Sequence, residues 1–468
     1  MLQDLRHLDD VGEFGKVTLE ELKKAIDTGS YTYGDNAPSA LTGGAAMQVE
    51  FLDSALRSVT IKEKNIKFWK DIAKAKADAV VVQYNLQQSH GADRPEFFAD
   101  GGVAAASDAE YSREIEKVKF LGTLRAVTHP QTLVKQAHGP AIAREIKNGT
   151  KYLLEKMERR LFDASSAINA LEFDGIDAQI RAKSVDAEYQ GQYAGIVLDD
   201  DMVYDKRGAG IDEDDLEEIA YRIASNAGVP ECMYLSLGAH RDLNKLFFPK
   251  KRLIDVSFPE GRSGFVLKKF DSAAGDFEIK GDLFLRPFVK AVTGTGNAPG
   301  ATTGATDAGS AVASEWTTAE QGDYIYQVSA VYSASGESPA LTTGAYTKAN
   351  NNNVDVDWSA PAAPAGETVL FYKVFRGAQD GLAASCRLVA RVASGTVTLR
   401  DANAFLPGDS SAYLLEMQPE CISWFQLMPM MKWDLARINT SYRWMQMIYG
   451  TPVVSIPRHN CIVENVDE

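Results

Sequence analysis

Six histidines, four cysteines and two acidic runs could hold metals or move protons, and their spacing limits what they can do. His7, His90, His129, His138, His240 and His459 show no H-E-x-x-H or H-x-x-H spacing, which would set two imidazoles on one helix face. They read as surface or structural residues. Cys232, Cys386, Cys421 and Cys461 lie far apart and form no C-x-x-C pair, so in a reducing cytoplasm they are expected to be buried small hydrophobes. The acidic runs at 199–201 and 212–218 offer oxygen ligands, yet neither has the glycine-centred spacing of a calcium loop. The second run falls in the first turn of an expected helix, where acids favour the dipole. Gly294, Gly296 and Gly300 lack the Lys-Ser/Thr of a phosphate loop, and no G-x-S-x-G elbow occurs. These residues give no catalytic, cofactor or metal constellation. The expectation is a protein that is not an enzyme, with no cofactor.

The elements that position these residues are those of a large globular chain. At 468 residues it exceeds the size of a single core, so two or three domains are expected. Hydrophobic content of 45% and charged content of 24% are ordinary for such a protein. No apolar run reaches the roughly eighteen residues of a membrane span, and the first residues lack a secretory pattern, so no membrane association is expected. A net charge of −15 argues against tight, sequence-reading contact with nucleic acid, but not against enclosing it.

Along the chain, residues 1–45 read as an arm with a short helix at 19–26, opened by Thr18 with Glu21 three positions on. A further helical stretch is read at 47–56. Strands are expected at 79–86 and 114–128 around a glycine-rich tip that holds Phe97 and Phe98, an apolar pair that suits an intermolecular contact. Across 141–170 the positions Ile142, Ile146, Leu153, Met157 and Leu161 form one apolar stripe, predicting a helix of roughly 45 Å. An α/β block follows at 206–290, with a helix capped by Asp212, a strand at 232–235 and a helix at 237–247 broken by Pro249. Residues 294–310 read as a small-residue linker. Alternating strands at 323–332, 354–358, 369–376, 387–392 and 396–400 then predict a β-sandwich. The last fifty residues are dense in large apolar and aromatic side chains, a surface suited to a core or to a second copy of the chain. Trp424 and Trp444 are its candidate contact residues, beside Phe97 and Phe98.

Two resemblances attach to these residues. Gly322, Tyr324, Tyr326, Val328 and Ala330, the Gly336-Glu337-Ser338 turn, Val354-x-Val356-x-Trp358 and the run 372–377 resemble an immunoglobulin-like or fibronectin-type-III-like module. The rest, over about 45–290 and 415–468, resembles the major capsid proteins of tailed bacteriophages of the Hong Kong 97 type. That likeness rests on the ribbon followed by a long helix, the Leu171-Glu172-Phe173-Asp174-Gly175-Ile176 exit and the 213–236 block. The closing tract completes it, with Leu435-Ala436, Arg443-Trp444-Met445-Gln446, Tyr449-Gly450 and Pro452-Val453-Val454. The arm that opens the chain holds only some forty-five residues, so a scaffolding region within the chain is not expected.

The resemblance implies an α+β fold of the Hong Kong 97 capsid type with an inserted all-β sandwich. Its parts would be the N-terminal arm and start of the peripheral domain (1–78), the extended β-ribbon loop (79–130), the peripheral domain with its spine helix (131–205) and the axial domain (206–295). The inserted sandwich (296–414) and the return to the axial and peripheral domains (415–468) would follow. It further implies a capsid subunit that partners itself in pentamers and hexamers and encloses double-stranded DNA without sequence-specific binding. Portal, scaffolding and cement proteins would be further partners. The place would be the virion, assembled in the host cytoplasm, with the sandwich on flexible connections decorating the outer surface. The alternative drawn from the sandwich alone is a secreted or surface adhesin with a carbohydrate-binding module, and a polysaccharide-acting enzyme would need paired carboxylates in a cleft.

Overall fold

The computed structural model describes residues 60–91, 94, 97–134, 136, 139–186, 189, 202–254, 266–285, 289–292, 294, 296–437 and 439–467. The chain divides into two units, and every element below belongs to the unit of residues 60–134 and 141–468. The helices expected at 19–26 and 47–56 lie outside the described residues.

A short helix α1 (Phe68–Asp71) leads into β1 (Ala73–Lys76), β2 (Val81–Ser89), β3 (Glu110–Lys117) and β4 (Lys119–Thr128). The alternation over 114–128 predicts one strand, but the chain makes two. Val118 is buried between them and gives its N–H to the Val80 carbonyl at 2.8 Å. There β3 leaves its two-stranded ribbon with β2, and β4 enters another sheet.

Helices α2 (His129–Leu133), α3 (Ala141–Asp163) and α4 (Ile176–Lys183) follow. The apolar stripe of α3 is buried as its spacing predicts, with Leu153, Met157 and Leu161 in the core. The helix stops at Asp163, short of the expected 170. The Asp174 carboxylate takes the Ser166 N–H at 2.7 Å and its hydroxyl at 2.8 Å, which folds the chain back on itself. Gly175 sits so close to this turn that a Cβ would lie 2.7 Å from the Phe162 carbonyl oxygen.

Next come β5 (Val203–Ala209), α5 (Glu213–Ser225), β6 (Cys232–Ser236), α6 (Leu237–Ile254), β7 (Lys269–Ser272) and β8 (Gly275–Asp282). Asp212 caps α5 in a reciprocal box with Asp215, and Lys206 Nζ approaches the two Asp215 oxygens at 2.7 and 2.6 Å. The acidic run at 212–218 thus serves a helix start, while the run at 199–201 lies outside the described residues. Helix α6 corrects the expected break at Pro249, because it continues to Ile254. A proline removes one backbone donor, and a last turn survives that loss.

Ten strands then build a separate β-layer: β9 (Gly300–Asp307), β10 (Gly322–Tyr324), β11 (Tyr326–Tyr332), β12 (Gly336–Glu337), β13 (Leu341–Thr342), β14 (Tyr346–Lys348), β15 (Val354–Ser359), β16 (Val369–Arg376), β17 (Arg387–Ala393) and β18 (Thr398–Asp401). One sheet runs β12-β11-β16-β17 with β13 also on β11, a second runs β18-β15-β9, and β10 pairs with β14 as a two-stranded piece. Trp316, Tyr326, Val328, Val356, Trp358, Tyr372 and Val374 fill the core that the first two share. The expected linker at 294–310 is corrected here, since 300–307 forms the edge strand β9 on β15. Small side chains do not prevent pairing, and Gly304 at φ +77° lies opposite Asp357, where the β15 ladder shifts register.

The chain returns through β19 (Ser410–Leu415), β20 (Ile422–Asp434), β21 (Ser441–Val454) and β22 (Cys461–Val466). Two sheets organise the whole unit outside the β-layer. The six-stranded sheet β5-β22-β19-β6-β8-β7 is buried on both faces around its centre. Met233, Leu235, Leu414 and Val463 point toward α5 and α6, while the alternate residues Tyr234, Tyr413 and Ile462 join the core under α3 and α4. The four-stranded sheet β1-β20-β21-β4 lies against α3, through which Gln446 donates to the Ile146 carbonyl at 2.9 Å. Gly450 lets the Trp424 indole lie flat on β21, and a Cβ there would enter the ring and sit 2.7 Å from the Phe425 carbonyl oxygen. Gly450→Ala is therefore expected to cost about 1–3 kcal/mol of stability by overpacking. Urea unfolding checks this, and an unchanged midpoint would show that the indole yields freely.

The β-layer does not hang on loose connections. Arg391 of β17 grips Glu172 with two bonds of 2.8 and 2.7 Å and donates to the Asp163 carbonyl at the end of α3. Arg207 reaches Glu315 at 2.8 Å and the Asn403 carbonyl at 2.7 Å, and Asn465 holds both Ala404 and Leu406 by their backbones. The flexible connections expected for the sandwich are replaced, on its exit side, by these anchors.

Candidate assembly interface

Alternation along β20 and β21 sorts the aromatic tract into two faces. On one, Trp444 packs with Val127, Ala141, Ile142 and Ile146, and Trp424 packs against Trp69 and Phe173 at ring distances of 5.2 and 5.7 Å. Both tryptophans are 1% exposed. This corrects their assignment as contact residues, because they are consumed by the chain's own core. The signal was available in the period-two pattern of 441–449, which sends Trp444, Gln446 and Ile448 one way and Met445, Met447 and Tyr449 the other.

The opposite face carries what the tract leaves uncovered. Trp433 pairs across to Met445, and Met445 to Leu124. Met431 pairs to Met447 and Met447 to Gly122, and Tyr449 stacks edge-on with Phe120 at 4.6 Å. Trp433 is 57% exposed and Phe120 59%, with Leu124 and Met431 also open. A row of large apolar side chains on the open face of a sheet has no reason to face water unless a partner covers it.

The β2–β3 ribbon continues this surface. Its register pairs Gln83 with Ile115 and Gln87 with Tyr111, and that whole face is exposed. The other face turns inward, where Tyr84 meets the Tyr189 hydroxyl at 2.7 Å and Lys183 bonds Glu116 at 2.6 Å. Val82, Val118 and Ala77 seat the ribbon's base on Phe425, Leu427 and Tyr449. Beyond the strands, Phe97 is 94% exposed and Phe98 62%. Neither joins a buried cluster of the described residues.

Placing a charge in the open row is expected to block association without unfolding the chain. In a Leu124→Glu, Trp433→Glu double variant each site should lose about 2 kcal/mol or more of association free energy. Size-exclusion chromatography with circular dichroism checks this, and unchanged association with an unchanged spectrum would remove this face from the interface.

The four free cysteines are all buried, as their composition suggests. His7 and His138 lie outside the described residues. Among the described residues no helix is long and apolar enough to cross a membrane.

No protein-family model matches the chain. It is similar to the putative major capsid protein of Enterococcus phage phiEF24C, at 23% identity over 96% of this chain and 95% of that protein. It is equally similar to the major capsid protein of Staphylococcus phage K, at 23% identity over 98% of each. Among solved structures, the capsid of a native GTA particle aligns with 92% of this chain and all of its own, with TM-score 0.47 and 6% identity. The capsid of Myoviridae phage XM1 aligns with 93% of this chain and all of its own, with TM-score 0.43 and 7% identity. With its ribbon, long helix and returning tract in this order, the chain is similar from end to end to phage major capsid proteins.

Proposed function

We propose that the chain is the shell subunit of a phage head, associating as pentamers and hexamers into an icosahedral container for double-stranded DNA. The observation that carries this reading is the end-to-end likeness to phage major capsid proteins, with 95–98% of each relative covered. The exposed row of Trp433, Leu124 and Phe120 and the bare ribbon face supply the physical means, since many modest contacts repeated around rings sum to a stable wall. In this reading Phe97 and Phe98 reach a neighbouring subunit. A chain of net charge −15 encloses DNA without gripping it, and screening keeps the repulsion weak. The role is structural and needs no catalysis.

We read residues 1–78 as arm and entry, 79–130 as the extended ribbon and 131–205 as the peripheral domain. Residues 206–295 and 415–468 then form the axial domain and its return, and 296–414 an immunoglobulin-like insertion. The Arg391–Glu172 anchor makes that insertion a fixed part of the subunit, standing at one set angle on the shell. Portal, scaffolding and cement proteins would meet this subunit during assembly. Negative-stain microscopy of the purified chain tests the reading. Hollow polyhedra, tubes or capsomer rings are expected, and a strict monomer at high concentration would falsify it.

A further inference from the structure

Where β19 ends, β20 begins and the chain turns into β22, three side chains of unlike chemistry enter one space. Glu416, Cys421 and His459 bring a carboxylate oxygen, a sulfur and a ring nitrogen within 4.8 Å of one another. We propose that Glu416, Cys421 and His459 form a binding site for a soft divalent cation of the Zn2+ class, with water as the fourth ligand.

The donor set fits that ion. Sulfur and imidazole suit zinc, whereas calcium and magnesium take oxygen almost alone. Bonds of 2.0–2.3 Å in a tetrahedron put neighbouring donors roughly 3.3–3.7 Å apart. His459 Nδ1 and Glu416 Oε2 now touch at 2.6 Å, so they would part by about 1 Å and small side-chain rotations would close the rest. Charge also balances, because a carboxylate and a thiolate neutralise a divalent ion in a region that tolerates no net charge.

The surroundings hold these donors as an outer shell holds ligands. Asn460 donates from Nδ2 to Cys421 Sγ at 3.3 Å, and its Oδ1 accepts the Glu416 N–H at 3.1 Å. One amide therefore fixes the two ligands that come from separate strands, and it directly follows the third in sequence. The hydrogen bond between His459 and Glu416 joins two of the groups without an ion, and the Cys421 thiol then rests 3.4 Å from the Ile456 carbonyl oxygen, a bond it gives up when it loses its proton to a metal. Cys421 is 1% exposed, while the His459 and Glu416 side chains keep 15% and 9%, which leaves an approach for the ion and its water on that side. A bound ion would staple β19, β20 and β22 together where the chain re-enters after the β-layer.

The inference does not depend on shell formation, since monomer and particle would bind alike. The test uses the full chain, stripped with a chelator and titrated with Co2+ and then Zn2+. A near-ultraviolet sulfur-to-cobalt charge-transfer band is expected, saturating at one ion per chain and lost when zinc displaces cobalt. Zinc should also raise Tm. Cys421→Ser should abolish the band, and His459→Gln should weaken binding at least tenfold. A wild-type chain with neither band nor Tm rise overturns the proposal, whether or not the variants fold. A band kept in Cys421→Ser overturns it too.

Discussion

Asp401→Ala should collapse the β-layer, with a loss of about 3–5 kcal/mol, because it strands a buried guanidinium. Arg376 is 1% exposed and gives its two terminal nitrogens to Asp401 Oδ2 and Asn403 Oδ1, each at 2.6 Å. The same Asp401 oxygen accepts the Tyr326 hydroxyl at 2.9 Å, and the Trp316 ring lies 4.7 Å from the guanidinium. Removing the carboxylate leaves the Arg376 charge unpaired and takes from the Tyr326 hydroxyl its acceptor. An Arg376→Met, Asp401→Leu double variant should be far milder, since nothing charged is left behind. Calorimetry of the full chain decides: the single variant should lose the transition of the β-layer while the core of α3 keeps its own. Equal losses in single and double variants would show that packing volume, not the unpaired charge, sets the cost.

What the sequence could disclose follows from how far each signal reaches. The α3 stripe, the Asp212 cap and the alternating strands at 326–332 and 369–376 are local patterns, and local physics reads them. The end of α3 was hidden because Asp174, eight residues past Ser166, ends the helix through a side-chain bond. β9 was hidden because its glycines, alanines and threonines carry no apolar period, and its strand character comes from β15 some fifty residues on. Trp424 and Trp444 show a different limit: composition marked the tract as sticky, but only strand alternation says which face the chain keeps for itself. The Glu416, Cys421 and His459 cluster spans forty-three positions with no regular spacing, so no motif could have announced it.

Raising the pH from 5 to 8 should lower the stability of the unit built on α3 by something on the order of 3 kcal/mol. Glu158 of α3 is fully buried and accepts three backbone N–H groups, from Lys67 and Phe68 at 2.7 Å and Trp69 at 2.8 Å. These bonds favour its charged form. Burial, joined by the nearby Asp282 carboxylate at the end of β8, outweighs them and pushes its pKa from 4.5 up to about 7. Asp282 is also pushed up, chiefly by burial, with the Lys67 charge among the influences opposing it. The folded pair therefore keeps a proton that the unfolded chain gives up. Below about 4.5 both states hold the Glu158 proton and the stabilisation is complete. Between 4.5 and about 7 only the folded state holds it, so each step upward in pH favours unfolding, and above about 7 the stabilisation is lost. Asp282→Asn should flatten this slope, because a carboxamide N–H can face an ionised Glu158 without repulsion. Thermal melts from pH 5 to 8 measure both chains, and parallel slopes would place the titration elsewhere. Because the three N–H groups belong to Lys67 and the first two residues of α1, the same proton bears on how firmly the start of the described chain is held to α3 and β8.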